Sequence, residues 1–460
     1  MLRANRRIYL IEFIQSFGFL GLKFSLVLYL VNRLGMADKL AYQVYAVFTA
    51  FAYGMSPIFG YLSEKYFGCK FAIFLGYIFL FISYGLFIIG NNEYFALSAF
   101  ICGIGLYRTN LYDLLGKINQ DNEKQSFISY NNLIIFFNLG AVMSLIFIGS
   151  DVEDQNWQAV FKIFGGVTFI SFLIFIFSLR DIFKEVEVYQ FSKMVFPFIG
   201  IIIFLLFFPG LVERIYIADY FFISLILITL LISIYIYLAQ DKQNRKNLLI
   251  LGLLFLFLIS TNVAFEQIGS SLSLLIDRVV DRNCLGFVVP TTWILSLNPI
   301  FYTVFGGMVF LISLHLKPEW FQNKIYLLFV ICFIFLISAY GLLWLVTLSG
   351  NGNSISMFFM GSVLMFYTFA EVIISPISLS MIYILSPKKY TNFFMGVWFL
   401  VFSFSNYLSG EVASYISVED IMDKSLLFEK YNNFFEFLSI FLVLNLIFLY
   451  YSRKLINRKG

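Results

Sequence analysis

The chain has 460 residues, of which 60% are hydrophobic and 13% are charged, and its mean hydropathy is +0.87. Soluble domains carry about 25% charged residues, so this composition excludes a soluble globular protein. The net charge of +4 gives no indication of a nucleic-acid partner. The four cysteines are far apart without metal-ligand spacing, so we expect neither a metal site nor a cofactor at Cys69, Cys102, Cys284 or Cys332.

Apolar runs of about 20 residues recur along the chain, and a helix of this length crosses a bilayer. The runs are continuous rather than alternating, which predicts helices. We predict fourteen transmembrane helices joined by short connections, at 7–31, 39–64, 70–90, 93–118, 124–149, 157–179, 192–208, 216–239, 246–276, 291–316, 322–349, 354–385, 388–416 and 430–453.

The connections divide the chain and orient it. Lys and Arg are roughly three times as frequent on one side as on the other, which predicts that both termini are cytoplasmic. Charged linkers bracket one pair of helices, and removing that pair leaves six plus six, as in secondary transporters with a site near the midplane. We therefore predict an all-α polytopic membrane protein with an N-terminal six-helix bundle at 1–180, an inserted two-helix linker at 181–245 and a C-terminal six-helix bundle at 246–460.

The connection after the second predicted helix carries a recognisable pattern. Residues 60–70 read GYLSEKYFGCK, which resembles the G-x-x-x-D-R-x-x-G-x-R/K loop of the major facilitator superfamily. Glu64 and Lys65 keep the acid–base order. Gly60 would permit close helix packing and Gly68 a tight turn. This resemblance implies the major facilitator fold.

The charged side chains Glu12, Lys23 and Arg108 lie inside predicted helices of the N-terminal half. A charge at membrane depth costs at least about 2.5–3.5 kcal/mol, so Glu12, Lys23 and Arg108 are candidate functional residues. The alternatives are an interfacial position for Glu12, a snorkelling Lys23 and a purely structural ion pair at Arg108. Asn138 in the fifth helix is either a hydrogen-bonding residue of a cavity or a polar contact between helices.

The C-terminal half supplies buried acids. Glu266 lies in an apolar run, and Asn298 precedes Pro299, which is expected to kink its helix. Glu371 lies near mid-span beside Ser375 and a proline at 376, which makes it a candidate protonation site. If the halves form one cavity, the two cations of the first half can pair with the two acids of the second.

Several runs resemble one transporter family in order along nearly the whole chain. Residues 12–23, EFIQSFGFLGLK, are similar to the E-x-x-E-R-F-x-Y-Y-G-M-R opening of the proton-dependent oligopeptide transporter family of the major facilitator superfamily. Residues 103–110 resemble G-x-G-x-x-K-x-N, with Arg108 in the place of the lysine. Further matches lie at 53–60, 138–140, 265–267, 293–299, 371–380 and 395–400.

The resemblance implies roles for matched positions. Lys23 and Arg108 would hold the carboxylate end of a peptide, Asn138 and Asn298 its backbone, and Glu371 its amino end. The pairs Lys23–Glu266 and Arg108–Glu371 would act as gates, with Glu12 in proton coupling. The resemblance also places three further residues in the substrate site, namely Tyr53, Ser375 and Trp398.

The chain also departs from the family pattern. Gln15 replaces the second glutamate of E-x-x-E-R and cannot bind and release a proton. Ser16 replaces the arginine. Other departures replace aromatic residues or a glycine, at Phe19, Leu20, Asn262 and Ser378.

The leading hypothesis is proton-coupled symport of di- and tripeptides, or similar small zwitterions, across the bacterial inner membrane by alternating access. Protons would be the coupling ion, with no cofactor, and the lipid-embedded functional unit would be a monomer. The second hypothesis is a transporter of a non-peptide organic anion, such as a siderophore or a metabolite, with altered or absent proton coupling. A nutrient sensor is a third. A membrane enzyme is not expected, because no catalytic motif appears.

Overall fold

The computed structural model describes residues 2–90, 92–119, 123–182, 191–313, 324–349, 354–387, 390–416 and 424–456. Nearly all of them are helical. The chain forms two compact units, and the second of them includes a short segment from the N-terminal part of the chain. The first unit is Met1–Arg33 with Val47–Ala218, and the second is Leu34–Ala46 with Asp219–Gly460.

The helices of the first part of the chain are long and closely packed. Helix α1 continues into a π-helical turn at Tyr29–Arg33, and α3 into another at Ser63–Phe67. The helices are α1 (Leu2–Leu28), α2 (Asp38–Gly54), α3 (Ser56–Leu62), α4 (Cys69–Ile89), α5 (Glu93–Asn119), α6 (Glu123–Phe147), α7 (Gly149–Glu153), α8 (Trp157–Ile182) and α9 (Phe191–Glu213).

The later helices include two that are interrupted inside the apolar region. The later helices are α10 (Ile215–Leu238), α11 (Lys242–Phe265), α12 (Ser271–Arg278), α13 (Thr291–Leu295), α14 (Leu297–Ser313), α15 (Ile325–Ser349), α16 (Met357–Leu385), α17 (Thr391–Ser414) and α18 (Lys424–Ile456). Four two-residue strands join them, with β1 (Val280–Asp281) parallel to β4 (Ile355–Ser356) and β2 (Asn283–Cys284) antiparallel to β3 (Phe287–Val288).

The structure confirms the all-α polytopic fold. Among the described residues, eleven helices are long and apolar enough to cross a membrane. The other three predicted spans coincide with α2 and α3, with α5 and with α6, so each of the fourteen predicted spans holds helix. The domain boundaries at 180 and 245 stay predictions.

The loop that resembles the major facilitator pattern has the expected backbone. Gly68 has a φ of +71°, a backbone conformation that residues with a side chain rarely adopt, and it is the N-cap residue of α4. Gly60 faces Thr109 so closely that a Cβ atom would lie 2.9 Å from the threonine methyl. The Glu64 side chain lies outside the described residues.

Helix α9 belongs to the first unit and is attached to α5 by a hydrogen bond that a proline explains. Pro209 has no N–H, so the carbonyl of Leu205, one turn earlier, loses its partner within the helix. The Ser98 hydroxyl of α5 donates to that carbonyl at 2.9 Å. Met194 and Ile201 of α9 complete an apolar cluster with α4 and α5.

Replacing Ser98 by Ala is therefore expected to lower the free energy of unfolding by about 1–3 kcal/mol, because a buried carbonyl is left unpaired. The double variant Ser98→Ala with Pro209→Ala should recover most of that loss, since an alanine in place of the proline restores the N–H that the Leu205 carbonyl needs. Thermal unfolding of the purified variants in detergent measures both effects. Equal stability of Ser98→Ala and the wild type would contradict the assignment.

Candidate functional site

Helices α1 and α5 of the first unit bury an acid against three polar side chains. Glu12 is 1% exposed. Its carboxylate accepts hydrogen bonds from the hydroxyls of Tyr107 at 3.0 Å and Tyr112 at 2.9 Å. The Arg108 Nε lies 3.8 Å from Glu12 Oε1. The Glu12 carboxylate therefore lies inside the helix bundle of the first unit.

Arg108 is held from several sides. Its Nε and Nη2 donate to the Tyr112 hydroxyl at 3.2 and 3.1 Å. Its guanidinium carbon lies 4.3 Å from the ring centroid of Phe137 and 5.4 Å from that of Phe19, which is within cation–π range. The Arg108 side chain is 23% exposed whereas that of Glu12 is 2% exposed, so the cation reaches a surface that its acid does not.

The sequence did not identify Tyr107 and Tyr112 as hydrogen-bond partners of Glu12, or Glu12 as the ion-pair partner of Arg108. A tyrosine four residues after Arg108 is one turn away on the same helix face, which was the available signal. The glycines at 103 and 105 serve packing between helices. A Cβ on Gly103 would meet Leu80 at 2.7 Å, and one on Gly105 would overlap the Phe59 ring.

Lys23, eleven residues after Glu12 on α1, lies beside a different partner. It is 6% exposed, so it does not snorkel to the membrane surface. Its Nζ lies 3.5 Å from the Tyr53 hydroxyl and 5.3 Å from the centroid of that ring. Lys23 and Tyr53, both candidates from the sequence, therefore meet in the first unit.

Gln15 and Ser16 replace two ionisable residues of the family pattern, and both are buried. Neither amide atom of Gln15 has a hydrogen-bond partner among the described residues. Ser16 donates to the Phe13 carbonyl at 2.9 Å and faces Gly140 closely. The half-buried Asn138 donates to the carbonyl of Ile134 on its own helix at 3.0 Å.

In the second unit, the helix that carries Glu266 is interrupted at that residue. Helix α11 ends at Phe265, and a 3₁₀ turn at Glu266–Gly269 precedes α12. The Tyr340 hydroxyl donates to the Ala264 carbonyl at 2.6 Å, and the Tyr367 hydroxyl donates to the Phe265 carbonyl. These hydroxyls satisfy carbonyls near the interruption, as apolar surroundings require.

The side chains at this interruption connect it to α2 and α17. The half-buried Glu266 accepts a hydrogen bond from the Tyr45 hydroxyl at 3.5 Å. Gln267 donates to the carbonyl and hydroxyl oxygens of Ser409 at 3.1 and 3.0 Å. The predicted span at 246–276 is confirmed as helical, and it is divided into two α-helices because these tertiary hydrogen bonds stabilise a break that apolar periodicity does not encode.

Glu371 and Asn298, two candidate residues that lie on neighbouring helices, are in contact. The Asn298 amide donates to Glu371 Oε2 at 3.0 Å and to the Thr368 hydroxyl at 3.0 Å. The helix of Asn298 is interrupted at Ser296, between α13 and α14, which confirms the disturbance expected from Pro299.

The other two candidates of the second unit lie on α16 and α17. Ser375 donates to the backbone carbonyl of Glu371 at 2.8 Å. Helix α16 is continuous through position 376, whose side chain lies outside the described residues. The rings of Trp398 and Phe402 are in contact, with centroids 4.6 Å apart and planes tilted by 58°, and the Trp398 indole N–H has no partner among the described residues.

The chain's single histidine, His315, lies outside the described residues. Within the described part of the chain, no three His, Cys, Asp or Glu side chains come together as a metal site.

A buried ion pair of the second unit was not predicted. Arg278, at the end of α12, donates to both carboxylate oxygens of Asp38 on α2, at 2.6 and 2.8 Å. The two side chains are 15% and 6% exposed. The partners are 240 residues apart, so no local pattern connects them.

Replacing Arg278 by Ala is expected to lower the free energy of unfolding by about 3–5 kcal/mol, because it leaves the Asp38 carboxylate buried and unpaired. The charge-swapped double variant Asp38→Arg with Arg278→Asp should recover part of the loss. Thermal unfolding with both single variants as controls tests the pair. An additive double variant would contradict a direct interaction.

Comparisons with known proteins identify relatives of this chain. The family model PTR2, described as the POT family, matches residues 70–433. The dipeptide and tripeptide permease B of Photorhabdus luminescens is 26% identical over 421 residues, covering 88% of this chain and 86% of the permease.

Solved structures share the fold. A bacterial homologue of the human drug peptide transporters PepT1 and PepT2 superposes with a TM-score of 0.85 at 21% identity, covering 99% of this chain and 98% of that one. A POT family transporter in complex with 5-aminolevulinic acid gives a TM-score of 0.82 at 21% identity, covering 98% and 96%.

Proposed function

We propose a transport function for this chain, which belongs to the POT family. It carries dipeptides and tripeptides across the membrane by alternating access, in symport with protons. The permease of Photorhabdus luminescens, which matches this chain over most of its length, supports the substrate class.

The observation that carries this proposal is the difference in exposure between Arg108 and Glu12. The buried acid holds the guanidinium in place, while the cation remains 23% exposed and can bind a substrate carboxylate. Lys23 would add a second positive charge to the same end of the peptide. In the second unit, Glu371 would bind the peptide's ammonium group, and Asn298 would hold the Glu371 carboxylate in position.

The gating pairs Lys23–Glu266 and Arg108–Glu371, taken from the family resemblance, stay part of this proposal. Protons are the coupling ion and no cofactor takes part. Because Gln15 cannot titrate, Glu12 is the acid of the first unit that we assign to proton coupling. Tyr53, Asn138, Ser375 and Trp398 are proposed to line the substrate site.

Uptake of a labelled dipeptide into proteoliposomes under an inward proton gradient tests the function. We expect accumulation above equilibrium that collapses when a protonophore dissipates the gradient, while counterflow exchange persists. Correctly folded protein that shows neither dipeptide uptake nor competition by dipeptides would refute peptide transport.

A second candidate substrate is a small non-peptide organic anion or amino acid analogue. The departures at Gln15, Ser16 and Phe19 favour it, and one solved POT family transporter binds 5-aminolevulinic acid. Thermal-shift measurements separate the candidates, since stabilisation by carboxylates without stabilisation by dipeptides favours the second.

The setting of the protein follows from the same proposal. It is a multi-pass protein of the bacterial inner membrane with both termini in the cytoplasm, as the distribution of Lys and Arg indicates. The functional unit is a monomer, and the chain catalyses no covalent reaction.

A further inference from the structure

A cavity of about 390 Å³ lies in the second unit where several membrane helices begin or end. Part of its wall directly follows the span that ends at Arg278. Ser354 precedes the span that starts at Met357, and Leu427 and Phe428 lie at the start of the span that begins at Ser425. Residues at the ends of spans lie at the depth of the lipid headgroups. The cavity is therefore at the membrane surface.

The wall of this cavity carries both signs of charge. Arg282 donates to the Val289 carbonyl at 3.0 Å, and its Nη2 lies 3.5 Å from Asp277 Oδ1, so its guanidinium is fixed at the wall. Asp281 is exposed, and its Oδ1 accepts the Asn283 backbone N–H at 3.1 Å. With Arg278 and Asp277 the described wall has two cations and two acids, and Arg278 is also paired with Asp38, so the cavity has no excess of positive charge, which suits a zwitterion.

One wall of the cavity continues into a hairpin with an exposed apolar tip. Val288 of β3 lines the cavity, while Phe287 beside it is 53% exposed and Leu285 at the turn is fully exposed with a φ of +51°. Phe287 lies 5.8 Å from the ring of Trp293. Exposed apolar and tryptophan side chains at a span end are typical of contact with the lipid interface.

We propose that this cavity binds the headgroup of a phosphatidylethanolamine molecule. Its phosphate pairs with Arg282 and its ammonium donates to Asp281, while the acyl chains descend past Leu285 and Phe287. Because the described wall has no excess of positive charge, it favours an ethanolamine lipid over an anionic one, and the adjoining apolar hairpin favours a lipid over a free solute.

Native mass spectrometry of the detergent-purified full chain, titrated with phosphatidylethanolamine or phosphatidylglycerol, tests this site. We expect phosphatidylethanolamine to bind about tenfold more tightly than phosphatidylglycerol, which is the gain in affinity that one charge-assisted hydrogen bond provides. Asp281→Asn should remove that preference, and Leu285→Ser should weaken both lipids. Asp154→Asn, an exposed aspartate of the first unit, should leave the preference intact.

Lipid preference and lipid displacement can each overturn the proposal. The first would do so through equal affinity of the wild type for the two lipids, or through an unchanged preference in Asp281→Asn. The second would do so through displacement of the bound lipid by a dipeptide in the wild type but not in Asp281→Asn, which would assign the cavity to a free zwitterion. Both readouts are independent of transport.

Discussion

Replacing Glu371 by Gln is expected to reduce uptake driven by a pH gradient by about 100-fold. Glutamine has the same shape and still accepts the hydrogen bond from Asn298, so the helix contact survives. It cannot titrate, and it replaces a charge-assisted hydrogen bond to the substrate ammonium, which contributes about 1.5–3 kcal/mol, by a neutral one. Initial rates in proteoliposomes, normalised to reconstituted protein, measure the effect.

Counterflow exchange separates coupling from binding in this variant. If Glu371 serves coupling, exchange at equal pH should fall far less than driven uptake, and if it serves binding alone, both should fall together. Glu411→Gln is the matched control, because Glu411 is another acid of the second unit and is held by Gln43 at 3.2 Å. Full driven uptake in Glu371→Gln would remove Glu371 from the proposed mechanism.

Hydropathy was sufficient to predict an all-α protein with many membrane-spanning helices. Each apolar run of spanning length became helix, because the backbone inside a bilayer has no other way to satisfy its hydrogen bonds. The charged positions Glu12, Lys23 and Arg108 were identifiable for the same reason, since each is costly in an apolar run. The sequence therefore predicted which residues are unusual.

The partners of those residues were not predictable. Glu12 and Tyr107 are 95 positions apart, and Asp38 and Arg278 are 240 apart, so only the packed helices bring them together. The break at Glu266 was hidden for a related reason. It depends on hydroxyls from Tyr340 and Tyr367 of other helices, whereas the local sequence reads as one apolar helix.

Replacing Arg108 and Glu12 should give unequal effects, because the two charges differ in exposure. Arg108→Met leaves an acid whose side chain is 2% exposed, with two tyrosine hydroxyls as its partners among the described residues, so it should lower the free energy of unfolding by about 3–5 kcal/mol. Glu12→Gln keeps an acceptor oxygen for one tyrosine hydroxyl and presents an amide N–H to the other, and it leaves a cation that is 23% exposed, so it should cost about 1–2 kcal/mol. Thermal unfolding in detergent measures both.

The double variant distinguishes stability from transport. Glu12→Gln with Arg108→Met should be more stable than Arg108→Met alone, because no buried charge is left unpaired, yet its driven uptake should stay at least about 100-fold below the wild type. Arg108→Lys keeps the charge but loses the planar group that contacts Phe137 and the two hydrogen bonds to Tyr112, so its uptake should be intermediate. Recovery of uptake together with stability in the double variant would show that this buried pair holds the helices together without taking part in coupling.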